Sequence, residues 1–372
     1  MRLGSKRSRL YWSALSLALY GCNSLIGLSS LEKVSCLDDC GGALAGGSSG
    51  SVGAGGVAGE LSGVSGFTVT PGGASSEGGG SSAGGPGEPP IADGGSAGAV
   101  DTSVCPGGPD PLATWQEHWF EHNQELSRVY FDDCAVAYFD ADVPPMAATW
   151  LGPYMSKVWA YSLQTYGTMG SEPVYAVFHQ GKYLGGHSAT FVEASHDFHN
   201  VIDAGGTDWT QNYSDITLTL LGFIVQATAA HTKFGSPAFN LWGNSEWQKI
   251  YKYDVYLGLG QADQAAAAFD KFTASSVGFP RADTFWFRDW FYPLWRDHGH
   301  AQVMVDFFSL LEKYYPAVDQ QMSDMNWGEY VHFTSGAAHT NLKPLATQAF
   351  GWPTEWQAEF EQAQTDYPQI TY

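Results

Sequence analysis

Basic residues are scarce in this chain: 17 Lys and Arg stand against 38 Asp and Glu, a formal net charge of −21. The only basic cluster, Arg2, Lys6, Arg7 and Arg9, sits at the N-terminus, so the remainder is more acidic than the whole. Such a charge repels polyanions and argues against nucleic acid and anionic lipid as partners. The apolar run from Leu10 to Leu19 is roughly ten residues, too short to span a bilayer. No Gly-x-Ser-x-Gly elbow occurs in the part of the chain able to build a core, which argues against a serine hydrolase. No repeat of fixed period is present. Cysteine is sparse, five in 372 residues, and that small number proves informative.

What is present at the N-terminus reads as an address. A positive n-region followed by a short apolar run is the pattern of a signal peptide. The run ends in Leu19-Tyr20-Gly21-Cys22, which looks like a bacterial lipobox, with Cys22 as the acylated residue. Tyr20 stands where a small residue is usual, so plain secretion stays open as the alternative to a lipid anchor in the cell envelope. With Cys22 lipidated, Cys36, Cys40, Cys105 and Cys134 remain. An even remainder in an oxidising compartment predicts two bridges, and chain order favours Cys36–Cys40 and Cys105–Cys134. No cysteine is then left as a nucleophile.

From Gly41 to about Asp110 the chain is mostly Gly, Ser, Ala and Pro, a composition that cannot bury enough apolar surface to order itself. Its glycine runs lack the strand, helix and Lys-Ser/Thr ending of a phosphate loop. The domain map predicted is a signal peptide over 1–22, a tether over 23–110 and a globular domain over 111–372. About 260 aromatic-rich residues suffice for a substantial core.

Within that domain, Trp115, Trp119, Phe120 and Leu126 recur at near-helical spacing and predict a helix over Thr114–Ser127. Val129–Phe139 reads as a strand or hairpin, Pro153–Tyr166 as a helix closed by Gly167, and Val174–Phe178 as a strand. Gly185 and Gly186 suggest a turn before a strand at Ser188–Val192. Ile216–Ala230 is a strongly apolar helix and Ser245–Leu259 another. Beyond Ala262 helices are predicted over Ala262–Thr273, Thr284–Trp295, Ala301–Tyr314, Trp327–Phe333, Leu342–Phe350 and Pro353–Thr365. Strands first and helices afterwards describe an α+β fold.

The segments WQEHWFEHNQELSRVYFDD (Trp115–Asp133), VFHQGKYLGGHSATFVEASHDFHNVID (Val177–Asp203), SPAFNLWGNSEWQKIYKYDVYLGLG (Ser236–Gly260), FWFRDWFYPLW (Phe285–Trp295) and NWGEYVHFTSGAA (Asn326–Ala338) resemble a family of secreted bacterial proteins with a zincin-like, gluzincin-type domain. The resemblance runs from about Trp115 to Trp352. In that family a helix carries His-Glu-x-Gly-His, two imidazoles gripping one zinc while the Glu polarises its water. Gly222 holds the glycine position here. Thr219 and Phe223 stand at the histidine positions, Leu220 at the glutamate, and Lys249, with Glu246 nearby, at the later acidic ligand. The resemblance thus implies a zincin-like α+β fold, a small sheet followed by a mostly helical lobe, that has lost its zinc and its general base.

Two other constellations stand out. His187, His196 and His199 could bind a metal if a turn brought them together, and His179, Glu193 and Asp197 could line the old cleft beside Trp242, Glu246 and Trp247. Fourteen tryptophans could also furnish a sugar-stacking groove, although stripes such as Trp286 and Trp290 at helical spacing pack in cores more often than not. The reading that follows is an exported lipoprotein, anchored to the membrane through its N-terminal lipid. It would have a non-catalytic peptidase-like domain that binds a peptide or glycan and needs no cofactor. Two rivals remain: a zinc peptidase built on His187, His196 and His199, and a carbohydrate-binding or carbohydrate-cleaving module.

Overall fold

The computed structural model describes residues 100–372, apart from 121, 168, 184, 207, 208, 210–213, 233, 234, 244, 319 and 320. The expected signal peptide, most of the tether, Cys22, Cys36 and Cys40 therefore lie outside the described residues. Among the described residues no helix is long and apolar enough to cross a membrane.

The architecture is α+β. Six strands form one mixed sheet: β1 (Thr114–Gln116), β2 (Glu125–Phe131), β3 (Ala135–Phe139), β4 (Val174–Gln180), β5 (Gly185–Ala189) and β6 (Val201–Gly206). Their spatial order is β1-β2-β3-β4-β6-β5. The first three strands pair antiparallel, β3, β4 and β6 run parallel, and β5 lies antiparallel on the outer edge of β6. The parallel step from β3 to β4 needs a crossover. The helix α1 (Leu151–Tyr166) supplies it and ends where Gly167 adopts φ 89°.

The rest of the chain is mainly helical: α2 (Asp215–Ala229), α3 (Phe239–Trp242), α4 (Glu246–Gly258), α5 (Ala262–Ala274), α6 (Tyr292–Asp297) after a π-helical turn at Phe287–Phe291, α7 (Gln302–Tyr314), α8 (Trp327–Ala337), α9 (Lys343–Phe350) and α10 (Thr354–Asp366). A two-stranded ribbon, β7 (Ala317–Val318) with β8 (Gln321–Met322), interrupts this run. The caps are local and legible. Ser214 Oγ accepts the Thr217 N–H at the start of α2, and Asn326 and Glu329 close a reciprocal capping box on α8.

Side chains alternate across a strand, so the sheet has two differently covered faces. Ala137, Phe139, Ala176, Phe178, Ile202 and Ala204 face α1 and α2 and join the main core. Trp115, Leu126, Val136, Tyr138, Val177 and Val201 face the other way and form a second, smaller core with Trp119.

Three local expectations are corrected. Thr114–Ser127 is not a helix but β1, a loop and the start of β2, because Trp115 and Leu126 face each other across an antiparallel pair. The aromatic spacing imitates a helical stripe, whereas the burial of Trp115 between two exposed neighbours has the period of a strand. Gly185 and Gly186 lie inside β5 rather than in a turn. A Cβ on Gly186 would meet Asp203 O at 2.5 Å and Leu220 Cδ1 at 2.7 Å, so glycine lets α2 close on the sheet edge. The strand β6 has no counterpart among the predicted elements, since Asp203 and two glycines mask its apolar positions.

The bridge Cys105–Cys134 forms as chain order suggested, and Val100 and Cys105 pack on the main core. Residues on the N-terminal side of Pro111 thus take part in the core packing. Serine at both cysteines is expected to lower unfolding free energy by about 3–4 kcal/mol, the loop-closure term for a ring of roughly 30 residues. Chemical denaturation checks this; an unchanged midpoint would mean the bridge contributes nothing.

Candidate metal centre

The second face of the sheet carries charge where a core would be expected. On β4, His179 follows Val177 at the same parity, and on β6, Asp203 follows Val201. Both therefore point away from the helices, into the space under the loop that joins β1 to β2. That loop supplies the other side of the cluster. Glu117 extends the β1–β2 ladder by one residue, its N–H bonded to Gln124 O, and His122 is reached by a turn closed from His122 N–H to Trp119 O.

Glu117, His122, His179 and Asp203 are all buried, and one donor atom from each lies within 4.8 Å of every other. His179 Nε2 stands 2.8 Å from Glu117 Oε1 and 3.2 Å from Asp203 Oδ1. His122 Nδ1 stands 2.8 Å from Asp203 Oδ2 and 3.4 Å from Glu117 Oε1. Although these are ion-pair distances, Glu117 Oε1, His122 Nδ1 and His179 Nε2 are buried without a hydrogen-bond partner of acceptable geometry. Buried polar atoms are nearly always hydrogen-bonded, so three such atoms converging on one point require an account.

Each donor is held from behind. Asp140 Oδ2 accepts from His179 Nδ1 at 3.0 Å and from Lys182 Nζ at 2.8 Å, which turns the opposite nitrogen, Nε2, to the centre. Glu117 Oε2 accepts the Gln124 N–H at 3.0 Å, and Asp203 Oδ2 accepts the Trp119 indole N–H at 2.8 Å. The His122 ring stacks on Tyr183 with centroids 3.7 Å apart. A histidine backed by a carboxylate is the usual outer arrangement of a metal ligand.

Burial by itself would favour neutral imidazoles, but contacts with Asp203 and Glu117 outweigh it, holding His122 up at about 9 and His179 at about 10. Burial would likewise raise the carboxyls of Asp203 and Glu117; their histidine partners hold both below the ordinary range. Two imidazolium ions and two carboxylates sum to zero. A divalent ion in place of two imidazole protons gives the same sum, so ion and protons are electrostatically interchangeable here.

The residues expected to form a site fall in different places. His187 and His196 meet, Nε2 to Nε2 at 2.8 Å, next to this cluster. His199 does not join them; its ring stacks on Tyr175 and its Nδ1 reaches Glu172 at 2.6 Å. Asp197 accepts the Trp115 indole N–H, and Glu193 Oε1 accepts from the Thr190 N–H in a local turn. Trp242 and Trp247 are buried in the main core and stack on each other, 6.0 Å apart. On α2, Thr219 donates its hydroxyl to Asp215 O one turn back, Leu220 is fully buried, and Phe223 packs edge-on against Phe239. Lys249 donates to Glu246 and Ser275, a buried ion pair rather than a ligand. Of the four clustered residues the sequence reading marked only His179, and for a cleft. The available signal was a histidine and a carboxylate at core parity in apolar strands, where a charge must be paired.

No protein-family model matches the chain, and no curated protein does. Two solved structures are similar to it, a functionally unknown conserved protein from Bacillus anthracis str. Ames and a mutant of that protein. Each is 13% identical, with a TM-score of 0.38, over 62% of this chain and 50% of the other. The chain thus spans half the length of the structures it matches.

Proposed function

We propose that this is a non-catalytic, metal-binding domain of an exported protein, holding a first-row divalent ion, zinc foremost, through Glu117, His122, His179 and Asp203. The observation that carries the reading is the convergence of buried, unbonded donor atoms from Glu117, His122 and His179 on Asp203. Two imidazoles and two carboxylates form a borderline-soft set, favouring zinc and its neighbours over calcium or magnesium. Four protein donors leave no open position in a tetrahedral shell, the pattern of structural rather than hydrolytic ions. The ion would clasp the β1–β2 loop to β4 and β6, closing the small second core.

The same reading treats the fold as zincin-like with α2 in the place of the peptidase helix. What supports the non-catalytic part of this reading is the packing of Thr219, Leu220 and Phe223, none of which offers a base or a histidine donor. The lipid anchor and tether remain as the sequence implies them. A peptide or glycan ligand has no comparable support, because Trp242, Trp247, Trp286 and Trp290 are buried in the core.

The full chain, purified without chelator, is expected to retain at least one equivalent of zinc or a neighbouring metal by elemental analysis. Removing the ion should lower the melting temperature, since ligand at a thousand times its dissociation constant contributes about 4 kcal/mol. In the ion-free protein the raised values of His122 and His179 stabilise fully below about 6.5, and this contribution is lost as pH rises through 9 to 10. The chelated protein should therefore melt earlier at about pH 10 than at neutral pH, while the loaded one does not show this loss. Less than about a tenth of an equivalent, with no thermal shift on adding zinc, manganese, nickel or cobalt, would sink the proposal.

A further inference from the structure

Beside the four donors lie two buried imidazoles that the site above does not use. His187 on β5 is the cross-strand partner of Asp203 on β6, so both side chains stand on the same face of the sheet. The His187 Nε2 is 3.8 Å from Asp203 Oδ2 and 2.8 Å from His196 Nε2. These two spacings, the shorter of them a hydrogen bond, lie on either side of roughly 3.3 Å, the separation of adjacent donors bound at about 2.0–2.1 Å by a tetrahedral ion. His196 is oriented from behind, with Ser195 Oγ 3.0 Å from its Nδ1 and its ring stacked on Trp119, centroids 4.6 Å apart. Those contacts turn its Nε2 toward His187, as outer partners do for ligating histidines.

Asp203 also divides its oxygens. Oδ1 faces His179, while Oδ2 faces His122 and His187 and accepts the Trp119 N–H. Phe120 sits at the outer rim, 58% exposed, its ring edge-on to His187 with centroids 4.9 Å apart. Its backbone is left-handed, φ 51°, a strained conformation for an aromatic residue and one that recurs at functional sites.

We propose that the centre is dinuclear, with the Asp203 carboxylate bridging two first-row divalent ions. The first ion takes the donors already described. The second takes His187 Nε2, His196 Nε2 and Asp203 Oδ2. Ions sharing one bridging carboxylate stand about 3.5–4 Å apart, a span the two oxygens of Asp203 can serve. The proposal rests on the single-ion reading above, and the test separates their failures.

Native mass spectrometry of the full chain, loaded with cobalt and freed of loosely held ion by gel filtration, counts the bound ions. Two equivalents are expected. His196→Phe keeps the ring against Trp119 and removes both nitrogens, so it should hold one equivalent and give an unchanged far-ultraviolet circular dichroism spectrum. One equivalent in the unaltered protein overturns the dinuclear centre and leaves the single-ion reading standing. Zero overturns both. Two equivalents persisting in folded His196→Phe also overturn the second position as assigned. If that variant does not fold, the count on the unaltered chain still decides, together with the magnetic coupling expected of cobalt ions that share a carboxylate.

Discussion

Asp203→Ala is expected to abolish ion binding and to destabilise the domain by about 3–5 kcal/mol, the range for removing one partner of a buried charge pair. The size follows from what Asp203 touches. Its side chain is 1% exposed and faces His122, His179 and the Trp119 indole N–H, none of which can turn to water. Without the carboxylate, two imidazoles face a small void and the indole loses its acceptor, so each retains its desolvation penalty unrelieved. At roughly 2–4 °C per kcal/mol in a domain of this size, the melting temperature should fall by about 10 °C. Asp203→Asn separates the causes. An amide oxygen can still accept the Trp119 N–H, so its melting temperature should lie between those of the parent and Asp203→Ala, while ion affinity is lost with the charge. If Asp203→Ala melts within a degree of the parent and still holds its ion, the cluster is not the centre proposed.

Leu220→Glu carries the second large effect. Under the proposed zincin-like reading, position 220 is where a peptidase would carry the glutamate that polarises its zinc-bound water. Here Leu220 is fully buried, close enough to the sheet that a Cβ on Gly186 would meet its Cδ1 at 2.7 Å. Lys249 on the neighbouring helix α4 is already paired with Glu246. Losing the apolar side chain removes about 2 kcal/mol of burial, and an unpaired polar group adds about 1–3 kcal/mol more. The substitution should therefore lower stability by more than about 3 kcal/mol, and more at neutral pH than near pH 4, because burial favours the protonated acid. Denaturant midpoints at the two pH values provide the check. A variant as stable as the parent would mean that α2 borders an open cleft, and the peptidase reading would return.

α2 and the buried cluster of Glu117, His122, His179 and Asp203 differ in how far apart along the chain their determinants lie. α1, α2, α4 and α5 follow from signals near in the chain: their apolar period, the Ser214 cap of α2 and the Gly167 that ends α1. The same local rules misled at Thr114–Ser127. Trp115, Trp119 and Leu126 have a spacing that a helix could use, and only pairing with a distant strand selects the extended form. Asp203 was hidden for the same reason, as a polar interruption in a short apolar run.

The sequence alone carries the acidity, the pattern of an export signal, the low-complexity stretch and the α+β order. These depend on composition and on neighbours along the chain. The cluster of Glu117, His122, His179 and Asp203 was decided only by the tertiary structure. His179 and Asp203 lie 24 positions apart on parallel neighbours β4 and β6, while Glu117 and His122 arrive from a loop some 60 residues earlier. No spacing rule links such positions; strand parity and sheet register bring them together, and register is set by the packing of the whole sheet.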